Sequence, residues 1–211
     1  MITPMGNENA QFDFGRNWEA FSEHPLTVAR VEQAKKDFTE LLGGIDLRDR
    51  SFLDMGFGQG LTLLAAASMG AHPVGCDINL LCVNVLQNNQ RRYFPELSER
   101  TLPTVAGSIL DEAVVESLPE KSPDRKTRAY EIVHAWGVLH HTGQMESAIR
   151  AGASLVAPNG YLIIAIAEIE RMLHAIGFDI VKAVLADVPT GCNEFMFQRK
   201  AAGTGGANSC L

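Results

Sequence analysis

Phe52-Leu53-Asp54-Met55-Gly56-Phe57-Gly58-Gln59-Gly60 decides how this chain reads: a short apolar run ends in an acid, and three glycines follow at alternate positions. The pattern predicts a strand handing over to a tight loop. Glycine tolerates positive φ and lets main-chain N–H groups come close to a ligand. The apolar stretch Leu61 to Met69 then predicts a helix, whose N-terminus favours electron-rich groups. A loop of this kind suits a nucleotide-like cofactor.

The glycine spacing discriminates between cofactors. The dinucleotide fingerprint G-x-G-x-x-G/A, started at Gly56, needs a small residue at 61 and meets Leu61. Started at Gly58 it finds Gly60 but needs a small residue at 63, where Leu63 stands. Neither frame fits. A purely structural strand-to-helix turn uses the same glycines, so further motifs must carry the assignment. Pro73-Val74-Gly75-Cys76-Asp77 is a second apolar run ending in an acid, followed by Asn79 and a helical stretch to Gln90. An acid at the carboxyl end of a second strand overhangs the first glycine loop, where one carboxylate can accept from two vicinal ribose hydroxyls. The same acid also suits the positive end of a helix, with Asn79 as its cap. Leu102 to Ile109 reads as a third strand entering a turn at Gly107-Ser108-Ile109, and Tyr130 to Trp136 as a fourth strand leading into Gly137-Val138-Leu139-His140-His141-Thr142.

Asp54-x-Gly56-x-Gly58-x-Gly60 resembles the first motif of class I S-adenosylmethionine-dependent methyltransferases, and the Val138-Leu139-His140-His141 loop is similar to one common among those acting on small molecules. Phe12-Asp13-Phe14-Gly15-Arg16-Asn17-Trp18-Glu19-Ala20-Phe21 resembles the lead-in of a bacterial subgroup, where this segment covers the cofactor. The resemblance extends over residues 12 to 199. It implies a Rossmann-like, doubly wound α/β fold with a seven-stranded sheet in the order 3-2-1-4-5-7-6, the last strand alone antiparallel, and helices on both faces. It implies S-adenosylmethionine as cofactor, S-adenosylhomocysteine as product, and in-line methyl transfer to a small-molecule acceptor. Cofactor binding would fall to Asp54, Gly56, Phe57, Gly58, Gly60, Asp77, Ile78, Ser108, Ile109 and Trp136, with Trp18 and Arg16 from the covering segment. Asp77 would hold the ribose, while Asp54 would orient the loop or reach the methionyl amino group through water. Ser108 departs from the family pattern, which has an acid or amide there for adenine; a hydroxyl can accept but carries no charge. His140 and His141 are the candidate bases, because imidazole titrates near neutral pH and the loop follows a strand at its carboxyl end. Two other readings share these features: a binder of S-adenosylmethionine without methyl transfer, and an NAD-dependent oxidoreductase, whose fingerprint both frames fail.

The 211 residues suit one domain. With 25 acids against 18 Lys and Arg the formal charge is −7, which disfavours a nucleic-acid partner. The basic cluster Lys121, Arg125, Lys126 and Arg128 reads as a solvated loop. Cys76, Cys82, Cys192 and Cys210 form no C-x-x-C pair, and His24, His72, His134 and His174 are scattered, so neither metal nor disulfide framework is expected. No apolar run reaches about 18 residues and no charged leader precedes one, which points to the cytoplasm and away from a membrane.

Apolar runs near 51–55, 73–76, 103–106, 131–136 and 160–167 alternate with amphipathic stretches, as in a parallel sheet covered on both faces. Leu26 to Leu42 predicts a helix with Val28, Val31, Ala34, Phe38 and Leu41 or Leu42 on its inner face. Residues 143–156 predict another, followed by a Pro158-Asn159-Gly160 turn and a fifth strand, Tyr161 to Ala167. That strand runs into a helical pattern from Glu168 to Gly177 with no turn residue between, although such connections take about 2–6 residues. A segment missing near Ala167 and Glu168 is therefore expected. Phe178 to Leu185 and Asn193 to Gln198 predict a closing antiparallel pair around Pro189-Thr190-Gly191. The expected organisation is a covering segment over 1–25, the domain over 26–200 and a flexible tail over 201–211.

Overall fold

In a computed structural model, which describes residues 26–119, 129–165, 173, 176–184 and 194–200, the apolar runs become strands β1 (Ser51–Met55), β2 (His72–Asp77), β3 (Thr104–Ala106), β4 (Tyr130–Trp136), β5 (Val156–Ala165), β6 (Phe178–Val184) and β7 (Glu194–Arg199). They form one seven-stranded sheet in the order β3-β2-β1-β4-β5-β7-β6. Pairings among β1 to β5 are parallel, and β7 runs antiparallel to both β5 and β6. All five residues of β1 are buried, which is why its apolar residues do not alternate with exposed polar ones; Ser51 and Asp54 are buried among them. The covering segment, the 167/168 junction, the basic cluster 121–128, Cys192, Cys210 and the tail lie outside the described residues.

Helices α1 (Val28–Leu42), α2 (Leu61–Ser68), α3 (Leu81–Tyr93), α4 (Glu112–Ser117) and α5 (Met145–Ser154) cover the sheet. Local chemistry sets the ends of α1: the Thr27 side chain accepts from Arg30 N–H at the start, and Gly43 closes the helix in the left-handed conformation. Phe38, Leu41 and Leu42 of α1 join Ala65 and Ala66 of α2 over Phe52, Ile132 and Ile163. A neighbouring cluster packs Leu63 and Leu64 of α2 on Cys82 and Leu86 of α3. On the other face Ile149 and Ala153 of α5, with Val114 and Val115 of α4, meet Leu53, Met55, Val133 and Ala135. Helices α1 to α3 thus share one face, and α4 and α5 the other.

Two expectations need correction. Val28 is 67% exposed; the first turn of α1 overhangs the core, so helical period alone misplaces it. The fifth strand begins at Val156, not Tyr161. Tyr130 N–H donates to Leu155 O at 2.8 Å, Tyr130 pairs with Val156, and Ile132 pairs with Tyr161. Residues 157–160 therefore bulge out of a strand already begun, with Asn159 at φ 62° in the left-handed region that Asn tolerates. The Arg199 guanidinium donates to Val156 O and fastens the bulge to β7.

Gly160 is the tight point of this bulge, because a Cβ there would lie 2.7 Å from Glu131 O and 2.9 Å from Ala157 O. Both neighbours are backbone atoms that cannot rotate away. Gly160→Ala is expected to cost about 1–3 kcal/mol, measured as a lower urea midpoint at unchanged slope; an unchanged midpoint would show that the bulge can relax.

Candidate functional site

The strand order reverses at β1, which has β2 on one side and β4 on the other. After β1 the chain turns to α2 on one face, and after β4 it turns to α5 on the opposite face. The two connections diverge, and in open α/β sheets the ligand crevice lies above the carboxyl ends of the strands at such a point.

The glycine loop lines this crevice, with Gly56, Gly58 and Gly60 at φ 70°, 52° and 78°. Their N–H groups do not await a ligand, contrary to the sequence reading. Gly56 donates to Cys76 O at 2.6 Å, Gly58 to Asp77 Oδ2 at 2.9 Å and Gly60 to Phe57 O at 2.7 Å. What the glycines supply is room. A Cβ at Gly56 would lie 2.4 Å from Val138 Cγ2, and one at Gly60 2.3 Å from Leu86 Cδ1. The loops after β1 and β4 therefore touch, and α3 presses on the start of α2. Phe57 turns inward: its ring is buried in the cluster of α2 and α3 and occupies the space a Cβ on Gly75 would need. Only its main chain remains near the crevice.

Asp77 is the junction between the first two strands. Its Oδ2 accepts from Gly58 N–H, and its Oδ1 accepts from Asn79 N–H at 2.8 Å. Each carboxylate oxygen has two acceptor sites, so the half-buried group retains capacity for vicinal hydroxyls. Asn79 is not the formal helix cap; Leu80 holds that place without a side-chain bond, while Asn79 Oδ1 accepts from Leu81 N–H at 3.0 Å. Burial first, then the Asp77 carboxylate, pushes the Cys82 thiol up to about 12, and the same causes in that order push Cys76 up to about 12. Neither sulfur is a nucleophile at neutral pH.

Asp54 does not face a solvent-filled crevice. It is 2% exposed, and its Oδ1 lies 2.8 Å from Nδ1 of His134, itself 1% exposed. Ile78 is exposed beside Asp77. Ser108 Oγ accepts from Leu110 N–H at 3.2 Å and keeps its O–H donor and a second lone pair, whereas the Ile109 side chain is buried in the core under α4 and α5. Arg16 and Trp18 lie outside the described residues.

The loop after β4 carries a single 3-10 turn, Leu139–His141. Leu139 is anchored in the core, leaving His140 exposed and His141 partly covered, with ring centroids 3.8 Å apart. Burial, and secondarily the neighbouring His140, hold the His141 imidazole below its ordinary value of 6.5. Trp136, half-exposed at the end of β4, stacks on His134 at 6.3 Å. Among the described residues no group of three His, Cys, Asp or Glu side chains could hold a metal ion, and no helix is long and apolar enough to cross a membrane. A cleft lined by Gln87, Gln90 and Arg100, and another lined by Asp46, Arg50 and Tyr161, lie away from this crevice.

Sequence reasoning missed Asn89 and His134. Asn89 Nδ2 donates to Gln59 O at 2.9 Å and ties the glycine loop to α3. Its signal was a polar residue three positions after buried Leu86, on the helix face turned toward the loop. His134 interrupts the apolar run of β4 as Asp54 interrupts that of β1, and the two are register partners.

A family model described as a methyltransferase domain matches residues 28–180. Ubiquinone biosynthesis O-methyltransferase from Paracidovorax citrulli (strain AAC00-1) is 30% identical over 161 residues, covering 73% of this chain and 60% of that protein. The protein of the same name from Stutzerimonas stutzeri (strain A1501) is 29% identical over 153 residues, covering 72% and 59%. The chain thus spans about three-fifths of the length of these relatives. Among solved structures, magnesium protoporphyrin IX methyltransferase from Synechocystis PCC 6803 with bound SAM superposes with a TM-score of 0.68 at 17% identity, covering 94% of this chain and 100% of that one. That similarity concerns the fold.

Removing the carboxylate in Asp77→Ala deprives Gly58 N–H of its acceptor. A charge-assisted bond of this kind contributes about 1.5–3 kcal/mol, so amide exchange at Gly58, followed by NMR, is expected to accelerate about tenfold or more. Unchanged protection would mean that Asp77 does not fix the loop.

Proposed function

The chain belongs to the methyltransferase domain family, and on that premise we propose that its crevice binds S-adenosylmethionine and directs the methyl group to a hydroxyl of a small-molecule acceptor. One observation carries this reading: a half-buried carboxylate, Asp77, fastened to a glycine loop at the point where the strand order reverses. The residues present fit the group. Asp77 retains acceptor capacity for a ribose, and Gly56 and Gly60 let Val138 and Leu86 pack directly on the loop that holds it in place. Bound there, S-adenosylmethionine supplies a methyl group already activated by its sulfonium charge.

The protein's share is placement, exclusion of water and removal of a proton. Asp77 and the loop fix one end of the site. Partly covered His141 takes the part of base, because burial and His140 favour its neutral, proton-accepting form; exposed His140 assists by keeping its neighbour uncharged. The half-exposed Trp136 ring offers a flat apolar wall to an acceptor. The names of the curated relatives, both O-methyltransferases, support transfer to oxygen. Phe57 and Ile109 then act through their main chain or by packing, with Ile78 beside the ribose. The free thiols Cys76 and Cys82 support action in a reducing compartment such as the cytoplasm.

Titration calorimetry is expected to show saturable binding of S-adenosylhomocysteine and none of NAD; the reverse result would sink the proposal. With a phenolic acceptor that is turned over, His141→Ala is expected to lower kcat about 10²–10⁴-fold while S-adenosylhomocysteine still binds. A protonated imidazole cannot accept a proton. The wild-type rate should therefore be flat at neutral pH and fall on the acid side with an apparent pKa below 6.5; an acid limb above that value would exclude His141 as the base.

A further inference from the structure

Asp54 and His134 form a buried polar pair in the middle of the sheet, one residue on β1 and its register partner on β4. Around the imidazole stand the rings of Phe52, stacked at 6.0 Å and 25°, Phe38, edge-on at 6.0 Å, and Trp136, stacked at 6.3 Å. Nδ1 meets the carboxylate, while buried Nε2 has no hydrogen-bond partner among the described residues. This asymmetry decides the proton positions. Were the proton on Nε2 alone, the Nδ1 lone pair would face a carboxylate oxygen at 2.8 Å, a repulsive contact. A doubly protonated ring would bury a charged N–H donor with nothing to receive it. The arrangement that leaves least unsatisfied is a neutral ring with its proton on Nδ1, donated to an Asp54 carboxylate that keeps its negative charge.

Building on the cofactor reading above, we propose that His134 is a positioning residue: as the neutral Nδ1–H form it orients the Asp54 carboxylate beneath the glycine loop, so that the pair presents one buried negative charge to the cationic part of S-adenosylmethionine. Asp54 is two residues before Gly56, and its enclosure means that it acts through the field and through the loop it precedes. A charge fixed in an apolar surround acts over a longer distance than one in water. Trp136, packed on His134 and half-exposed at the crevice, screens the pair from solvent on that side.

Two substitutions separate positioning from packing. His134→Asn keeps an N–H donor at the place of Nδ1, whereas His134→Phe keeps a ring but no donor. With S-adenosylhomocysteine as probe, titration calorimetry is expected to give Asn a dissociation constant within about threefold of wild type and Phe one raised about tenfold or more. The imidazole ¹⁵N spectrum of wild-type protein, which needs no variant to fold, should show His134 protonated on Nδ1 and bare at Nε2. Equal losses in both variants, or a proton on Nε2, would overturn the inference while leaving the cofactor reading intact. Failure of the wild-type chain to bind S-adenosylhomocysteine would overturn both.

Discussion

Because β1 lies between β2 and β4, the chain leaves adjacent strands toward opposite faces of the sheet, and everything at the site follows from that divergence. A parallel sheet whose connections all turned to one face would have no such switch point. Here the edge opens. The opening is narrowed again by direct packing of Val138 over Gly56 and of Leu86 over Gly60, contacts that only glycine permits. The glycines are needed for the approach of the protein's own side chains as much as for that of a ligand. Their N–H groups are bonded to Cys76, Asp77 and Phe57, so the loop is a fixed part of the framework.

Two acids sit close to this loop in different environments. Asp77 is half-buried, ties β2 to the loop, and has acceptor sites left over. Asp54 is enclosed and bound to His134. The first can touch a ligand's hydroxyls, and the second can act on a ligand's charge. The histidines divide in a similar way. His134 is held inside the sheet, whereas His140 and His141 ride on a short turn whose one buried side chain, Leu139, anchors it. On the proposed reading, binding groups come from strand ends and the proton-accepting group from the loop beside them.

The sequence made the sheet legible because strands buried on both faces leave predominantly apolar runs, broken in β1 by Asp54 and in β4 by Glu131 and His134. It made Asp77 stand out as the acid ending the second run, and the structure ties that carboxylate to the glycine loop and to Asn79. The start of β5 was hidden: Pro158-Asn159-Gly160 has the chemistry of a turn, and only the pairing of Val156 with Tyr130 makes it a bulge inside a strand. The partner of Asp54 was hidden for a related reason. That partner stands 80 residues away in sequence, so local pattern could flag two polar interruptions but not join them. Asn89 carried a similar signal in α3, where a polar side chain on the inner face needed a partner that only the folded loop supplies.

The central claim is that the crevice at β1, β2 and β4 is a cofactor site organised by Asp77. A crystal structure with S-adenosylhomocysteine tests it most directly. The account predicts ligand density above the glycine loop, with the ribose hydroxyls on the Asp77 carboxylate and the thioether sulfur toward the loop bearing His141. Density in the cleft beside Gln90 and Arg100, or a ribose away from Asp77, would contradict it.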